Sequence, residues 1–173
     1  MDKIRFLLCL FAGLQVNGQE RWQNEYDHVL SFACPSLSSI SKIVSKHDNH
    51  HEDRIWDFSC KDTFESSPQC FWSPYANYFD EYLSYSCPDN YVMSGMESYH
   101  ENKHEDRRWK FYCCRDYKYC NSHCQWTPHV NNFDEEFTWY VPHMNYLVGV
   151  SSYHENKHED RRWQYMYCSR QPC

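Results

Sequence analysis

Two segments, His100-Glu-Asn-Lys-His104 and His154-Glu-Asn-Lys-His158, match the pattern in which paired imidazoles grip a zinc ion while a glutamate works on its bound water. That chemistry needs a helix presenting both histidines on one face and a third ligand from elsewhere. Both segments are instead wholly polar and bounded by strand-like sequence. Earlier in the chain stands a degenerate copy, His47-Asp-Asn-His-His51. A loop inherited by duplication accounts for the match, which leaves a zinc-dependent hydrolase, through His100 and His104 or His154 and His158, as the remote alternative. Weak metal binding by the imidazoles and carboxylates gathered there ranks above it. A solvated loop is the simplest reading, so no catalytic residue, metal or cofactor is assigned.

The elements around these segments repeat. Ser98–Trp109 recurs letter for letter as Ser152–Trp163, and Lys46–Trp56 is a looser copy. Trp56, Trp109 and Trp163 therefore mark three units, spanning about 22–60, 75–114 and 129–168. Each unit opens with an acidic and aromatic segment: Asn24-Glu-Tyr-Asp27, Asn77-Tyr-Phe-Asp80 and Asn131-Asn-Phe-Asp134. Alternating stretches halted by proline follow, at Leu30–Pro35, Leu83–Pro88 and Phe137–Pro142, and read as short strands. Further strands are expected at Ile40–Val44, Tyr91–Met96 and Tyr146–Val150, and in each segment carrying Asp-Arg-x-Trp. Helical periodicity is weak throughout. The expectation is an all-β, disulfide-stapled single domain of three pseudo-symmetric repeat units.

Alternation along a strand divides the Asp-Arg-x-Trp segments into two faces. Arg107, Trp109, Phe111 and Cys113 fall on one, with Arg54, Trp56, Phe58 and Cys60 or Arg161, Trp163, Tyr165 and Tyr167 as counterparts; this apolar face should meet the core. Asp53, Asp106 and Asp160 open the three motifs. Arg54, Arg107 and Arg161 are expected to stack on the core indoles or pair with a buried carboxylate. Contacts with external anions then fall to Arg108, Arg162, Lys103 and Lys157, together with His100 and His154 in the polar loops. Ile55 stands where units two and three have an arginine, so unit one should contribute less.

The chain begins with a short basic stretch and an apolar run, Phe6–Leu14, which reads as a signal peptide over residues 1–18 ahead of a domain at 19–173. No later apolar run approaches a membrane span. The formal net charge is −7, and an acidic product disfavours nucleic acid as a partner. Setting Cys9 aside with the leader leaves an even set of ten cysteines, a disulfide framework suited to a secreted protein. Cys34 and Cys60 occupy the places of Cys87 and Cys113 one unit on, so each pair should close its own unit; Val141 and Tyr167 fill those places in unit three. The matching Cys70 and Cys124 suggest Cys70–Cys114 and Cys124–Cys168, leaving Cys120 for Cys173. Ten cysteines admit many other pairings.

The recurring Asp53-Arg-Ile-Trp-Asp-Phe-Ser-Cys60, Asp106-Arg-Arg-Trp-Lys-Phe-Tyr-Cys-Cys114 and Asp160-Arg-Arg-Trp-Gln-Tyr-Met-Tyr-Cys168 resemble the dermatopontin family over nearly the whole mature chain. The resemblance implies a secreted, non-catalytic matrix or cell-adhesion protein that binds anionic glycans or proteoglycans, matrix proteins and cell surfaces. It also implies support of collagen fibril organisation, and it allows an oligomer. A secreted agglutinin, defence lectin or cytotoxin of the same fold is the alternative. The His-rich loops, and the lack of a long Tyr-rich acidic N-terminus, point to an invertebrate-type member. Below about pH 6.5 those loops would gain positive charge and attract anionic glycans more strongly.

Overall fold

The computed structural model describes residues 21–173, so the leader expected at 1–18 lies outside the described residues. Within them the protein is all-β, with eleven strands and no helix, hence none long and apolar enough to cross a membrane. The strands are β1 (Leu30–Ala33), β2 (Ser38–Asp48), β3 (Asp53–Asp62), β4 (Gln69–Trp72), β5 (Leu83–Ser86), β6 (Val92–Glu101), β7 (Asp106–Arg115), β8 (Tyr119–Trp126), β9 (Phe137–Tyr140), β10 (Asn145–Glu155) and β11 (Asp160–Pro172).

Each unit is built on a long hairpin, β2–β3, β6–β7 or β10–β11. The polar segments expected to be loops divide between strand and turn: His47 and Asp48, His100 and Glu101, and His154 and Glu155 finish the first strand of each hairpin. Only residues 49–52, 102–105 and 156–159 form turns, each closed by a glutamate at positive φ: Glu52 at 48°, Glu105 at 44° and Glu159 at 45°. β4 and β8, which sequence periodicity did not indicate, border β7 and β11.

The short proline-stopped strands do not pair with their own hairpins. β1 of unit one lies on β6 of unit two, β5 of unit two on β10 of unit three, and β9 of unit three on β2 of unit one. The exchange closes on itself and produces three sheets, β1-β6-β7-β4, β5-β10-β11-β8 and β3-β2-β9. Each arm is seated by one buried apolar side chain, Leu30, Leu83 or Phe137. It ends in a backbone N–H, from Cys34, Cys87 or Val141, donated to a carbonyl at the bulge of the receiving hairpin, Ser94, Val148 or Ser41. Gly95 sits at one bulge because a Cβ there would lie 2.5 Å from the Phe32 carbonyl oxygen of the incoming arm.

Trp56, Trp109 and Trp163 meet at the pseudo-threefold axis. Their ring centroids are 5.0, 5.1 and 5.0 Å apart with interplanar angles of 78°, 81° and 76°, a cyclic edge-to-face array that sets the positive ring edge against the negative ring face. All three are about 1% exposed. Around them one core cluster takes in apolar residues of every unit, Ile43, Met96, Phe111, Val150 and Tyr165 among them.

Disulfides join Cys34–Cys60, Cys87–Cys113, Cys70–Cys114, Cys124–Cys168 and Cys120–Cys173. The first two tie the end of an exchanged arm back to its parent hairpin and so bolt one sheet to the next. The third junction has no bridge and relies on apolar packing about Val141, which is 8% exposed. Removing Cys34–Cys60 by a double change to alanine should cost about 3–4 kcal/mol, from the loop entropy released by a separation of 26 residues. Denaturant titration of the otherwise oxidised protein checks this.

Candidate functional site

The sequence-predicted residues divide into an outer shelf and an inner ring. On the outer shelf Arg108 is half-buried. Its Nε donates to the Asn77 carbonyl at 2.9 Å and Nη1 to the Tyr99 hydroxyl at 3.3 Å, and the guanidinium lies over Tyr78 at 4.7 Å and Tyr75 at 5.1 Å. Tyr78 is 67% exposed. Lys110, bonded to Glu97 at 2.7 Å, covers the other end of the shelf against Trp72 and Tyr75.

Arg162 repeats the hydrogen bonds, Nε to the Asn131 carbonyl at 3.0 Å and Nη1 to the Tyr153 hydroxyl at 3.5 Å, but Asn132 stands in the place of Tyr78 and the ring near the guanidinium is Phe133, at 5.9 Å. His129 takes the place of Tyr75, and burial, helped by the charge of Arg162, pushes its imidazole below the ordinary histidine value. A guanidinium held by its Nε against aromatic faces is oriented in advance for sulfate or carboxylate, and the rings offer apolar surface to a sugar. Lys103 and Lys157 are exposed in the adjoining turns. Unit one has the largely buried Ile55 here.

His100 and His154 are not on this surface. Both lie near the ends of strands, with side chains 0% and 1% exposed, so neither can reach an external glycan. The metalloprotease pattern also dissolves: the segment is a strand end followed by a turn. His100 faces inward, while His104 turns outward to stack on Phe79 at 4.9 Å with its Nδ1 2.9 Å from Asp80.

The inner ring is made by the Asp-Arg pairs, and each pairing crosses between units. Arg107 grips Asp53 with Nε and Nη2, both at 2.6 Å. Arg161 grips Asp106 at 2.6 and 2.7 Å, and Arg54 grips Asp160 at the same distances. Every member is buried. Each carboxylate also accepts a backbone N–H, from Asp27, Asp80 or Asp134.

Sequence reasoning passed over two sets of residues. Asn24, Asn77 and Asn131 each accept from the backbone N–H of the unit's tryptophan at 2.9 Å and donate to the carbonyl of its arginine. Asp27, Asp80 and Asp134, at φ of 62°, 63° and 65°, aim carboxylates toward His100, His154 and His47. The signal was present: Asn and Asp recur three residues apart in all three units while residues between them change.

A sequence model of the Dermatopontin family matches residues 24–173. The chain is 39% identical to hemagglutinin/amebocyte aggregation factor of Limulus polyphemus over 175 residues, spanning both proteins completely. It is 39% identical to Millepora cytotoxin-1 of Millepora dichotoma over 145 residues, 84% of this chain and 65% of that one. Identity to dermatopontin of Biomphalaria glabrata is 38% over 137 residues, 79% of this chain and 92% of that one. No solved structure matches. The match to the family model covers the three units and their crossed Asp-Arg pairs, and the chain belongs to the dermatopontin family, which is extracellular and generally non-catalytic.

Proposed function

We propose that this is a secreted matrix or cell-adhesion protein that binds anionic glycans or proteoglycans through Arg108 and Arg162, with Lys103 and Lys157 as flanking cations. What carries the reading is the recurrence of an arginine at equivalent places in units two and three, held by its Nε and lying over Tyr78 in one and near Phe133 in the other. Two like sites on one rigid body favour cross-linking, because engagement of the first raises the effective concentration at the second. Similarity to a hemagglutinin along its full length supports agglutination as the outcome, and organisation of matrix, collagen fibrils included, is the tissue-level form of the same bridging.

The test is binding to immobilised heparin and to an uncharged polysaccharide. Arg108→Ala with Arg162→Ala should weaken heparin binding about tenfold or more, the scale of losing hydrogen bonds to a charged group, and should abolish erythrocyte agglutination. Unchanged affinity in the double variant removes these two arginines from the site.

A further inference from the structure

The buried His100 and His154 remain unexplained by the glycan shelf. Neither ring nitrogen of His100 or of His154 has a hydrogen-bond partner, although both side chains are shut away from solvent. A buried neutral imidazole ordinarily satisfies at least one nitrogen. Here Nδ1 of His100 faces Oδ1 of Asp27 at 3.6 Å, and that oxygen is itself buried and unpartnered. Asp53 from the same neighbouring unit completes a set whose donor atoms all lie within 4.8 Å of one another. His154, Asp80 and Asp106 repeat the set at the next junction.

We infer that each of these two inter-unit pockets binds a divalent transition-metal ion, taking one imidazole Nδ1 and two carboxylate oxygens as ligands. One nitrogen with two oxygens suits zinc and its neighbours and is a poor set for calcium, which takes oxygen alone. Nε2 of His100 lies 3.6 Å from Oε2 of Glu105, and Nε2 of His154 lies the same distance from Oε2 of Glu159, so a carboxylate stands beyond each ring without bonding to it. The far oxygen of Asp80 is held by His104 at 2.9 Å, leaving the near one free to coordinate.

Charge argues the same way. At the first junction Asp27, Asp53 and Glu105 stand against one guanidinium, Arg107. A dication relieves that excess of negative charge. The third junction is looser: His47 presents Nδ1 to Asp160 at 3.5 Å but Nε2 to Asp134 at 3.9 Å, so no single nitrogen serves both carboxylates.

Oxidised full-length protein, stripped with EDTA and dialysed, should take up two Zn2+ per chain in calorimetry with elemental analysis, and its melting temperature should rise. His100→Ala and His154→Ala should each lose one ion, and His100→Gln, which keeps the volume, should lose the same one. Exposed His143→Ala should keep both. Co2+ in place of zinc should give visible d–d bands that weaken by half in either single variant. Absence of zinc uptake by the folded protein, or an uptake that His100→Ala and His154→Ala leave at two, overturns the inference.

Discussion

Arg107→Met is expected to lower the unfolding free energy by about 3–5 kcal/mol, because it strands the Asp53 carboxylate in the interior without its counter-charge. Asp53 is 4% exposed, so water cannot take over the lost hydrogen bonds. The same substitution also frees the His28 carbonyl and Ser98 hydroxyl, which Arg107 holds at 2.9 and 3.2 Å. Removing the charge as well, in Arg107→Met with Asp53→Asn, should recover part of the loss, since an amide oxygen can still accept from the Asp27 backbone N–H. The resulting double-mutant cycle should show a coupling of about 2 kcal/mol. Equilibrium denaturation with the disulfides intact measures all four corners. A coupling near zero would mean that Arg107 acts through its aliphatic packing alone.

Trp109→Ala should be comparably severe, about 3–5 kcal/mol, from lost burial and from the void left where the rings converge. Relaxation cannot fill that space, because the indoles on either side are themselves pinned by the Asn24 and Asn131 side chains through their backbone N–H groups. Trp109→Phe should cost distinctly less. The Nε1–H of Trp109 has no acceptor, so its removal orphans nothing and only volume is lost. As Trp56, Trp109 and Trp163 touch one another, pairs of such substitutions should depart from additivity. Thermal unfolding of single and double variants gives the comparison.

The strand character of this fold was legible because alternation leaves a mark on composition. Trp109, Phe111 and Cys113 are buried every second residue while Arg108, Lys110 and Tyr112 are half-exposed, a period that one reading of the letters reveals. The offset separating Cys113 from Cys114 belongs to the same period: one faces the core and its arm, the other the bordering strand β4. The destination of each arm was not legible. Leu30–Ala33 would present the same backbone donors and acceptors to β2 or to β6, and nothing in four residues distinguishes the two. For the same reason the Asp-Arg motif did not disclose that its two members serve different partners, Asp53 being held by Arg107 while Arg54 holds Asp160.

The polar segment ending β6 misled for a different reason. Glu97, His100 and Glu101 look solvated as a string, yet His100 points between units into a space lined by other polar groups, and hydropathy does not register burial of that kind. Exact recurrence of His100 as His154 is the feature that marked it. β4 was missed because Gln69-Cys-Phe-Trp72 is short and borders its sheet, where one ladder of hydrogen bonds suffices and alternation is only weakly enforced.

Because every unit lends a strand forward and receives one from behind, no single unit can be complete when excised. A fragment corresponding to 75–114 would carry one arm with nowhere to lie and one vacant groove of matching shape. Three such fragments can satisfy one another in a closed ring, whereas two cannot. The present chain therefore has the geometry of a fused homotrimer, and the peptide links between units set the order of assembly rather than create the contacts.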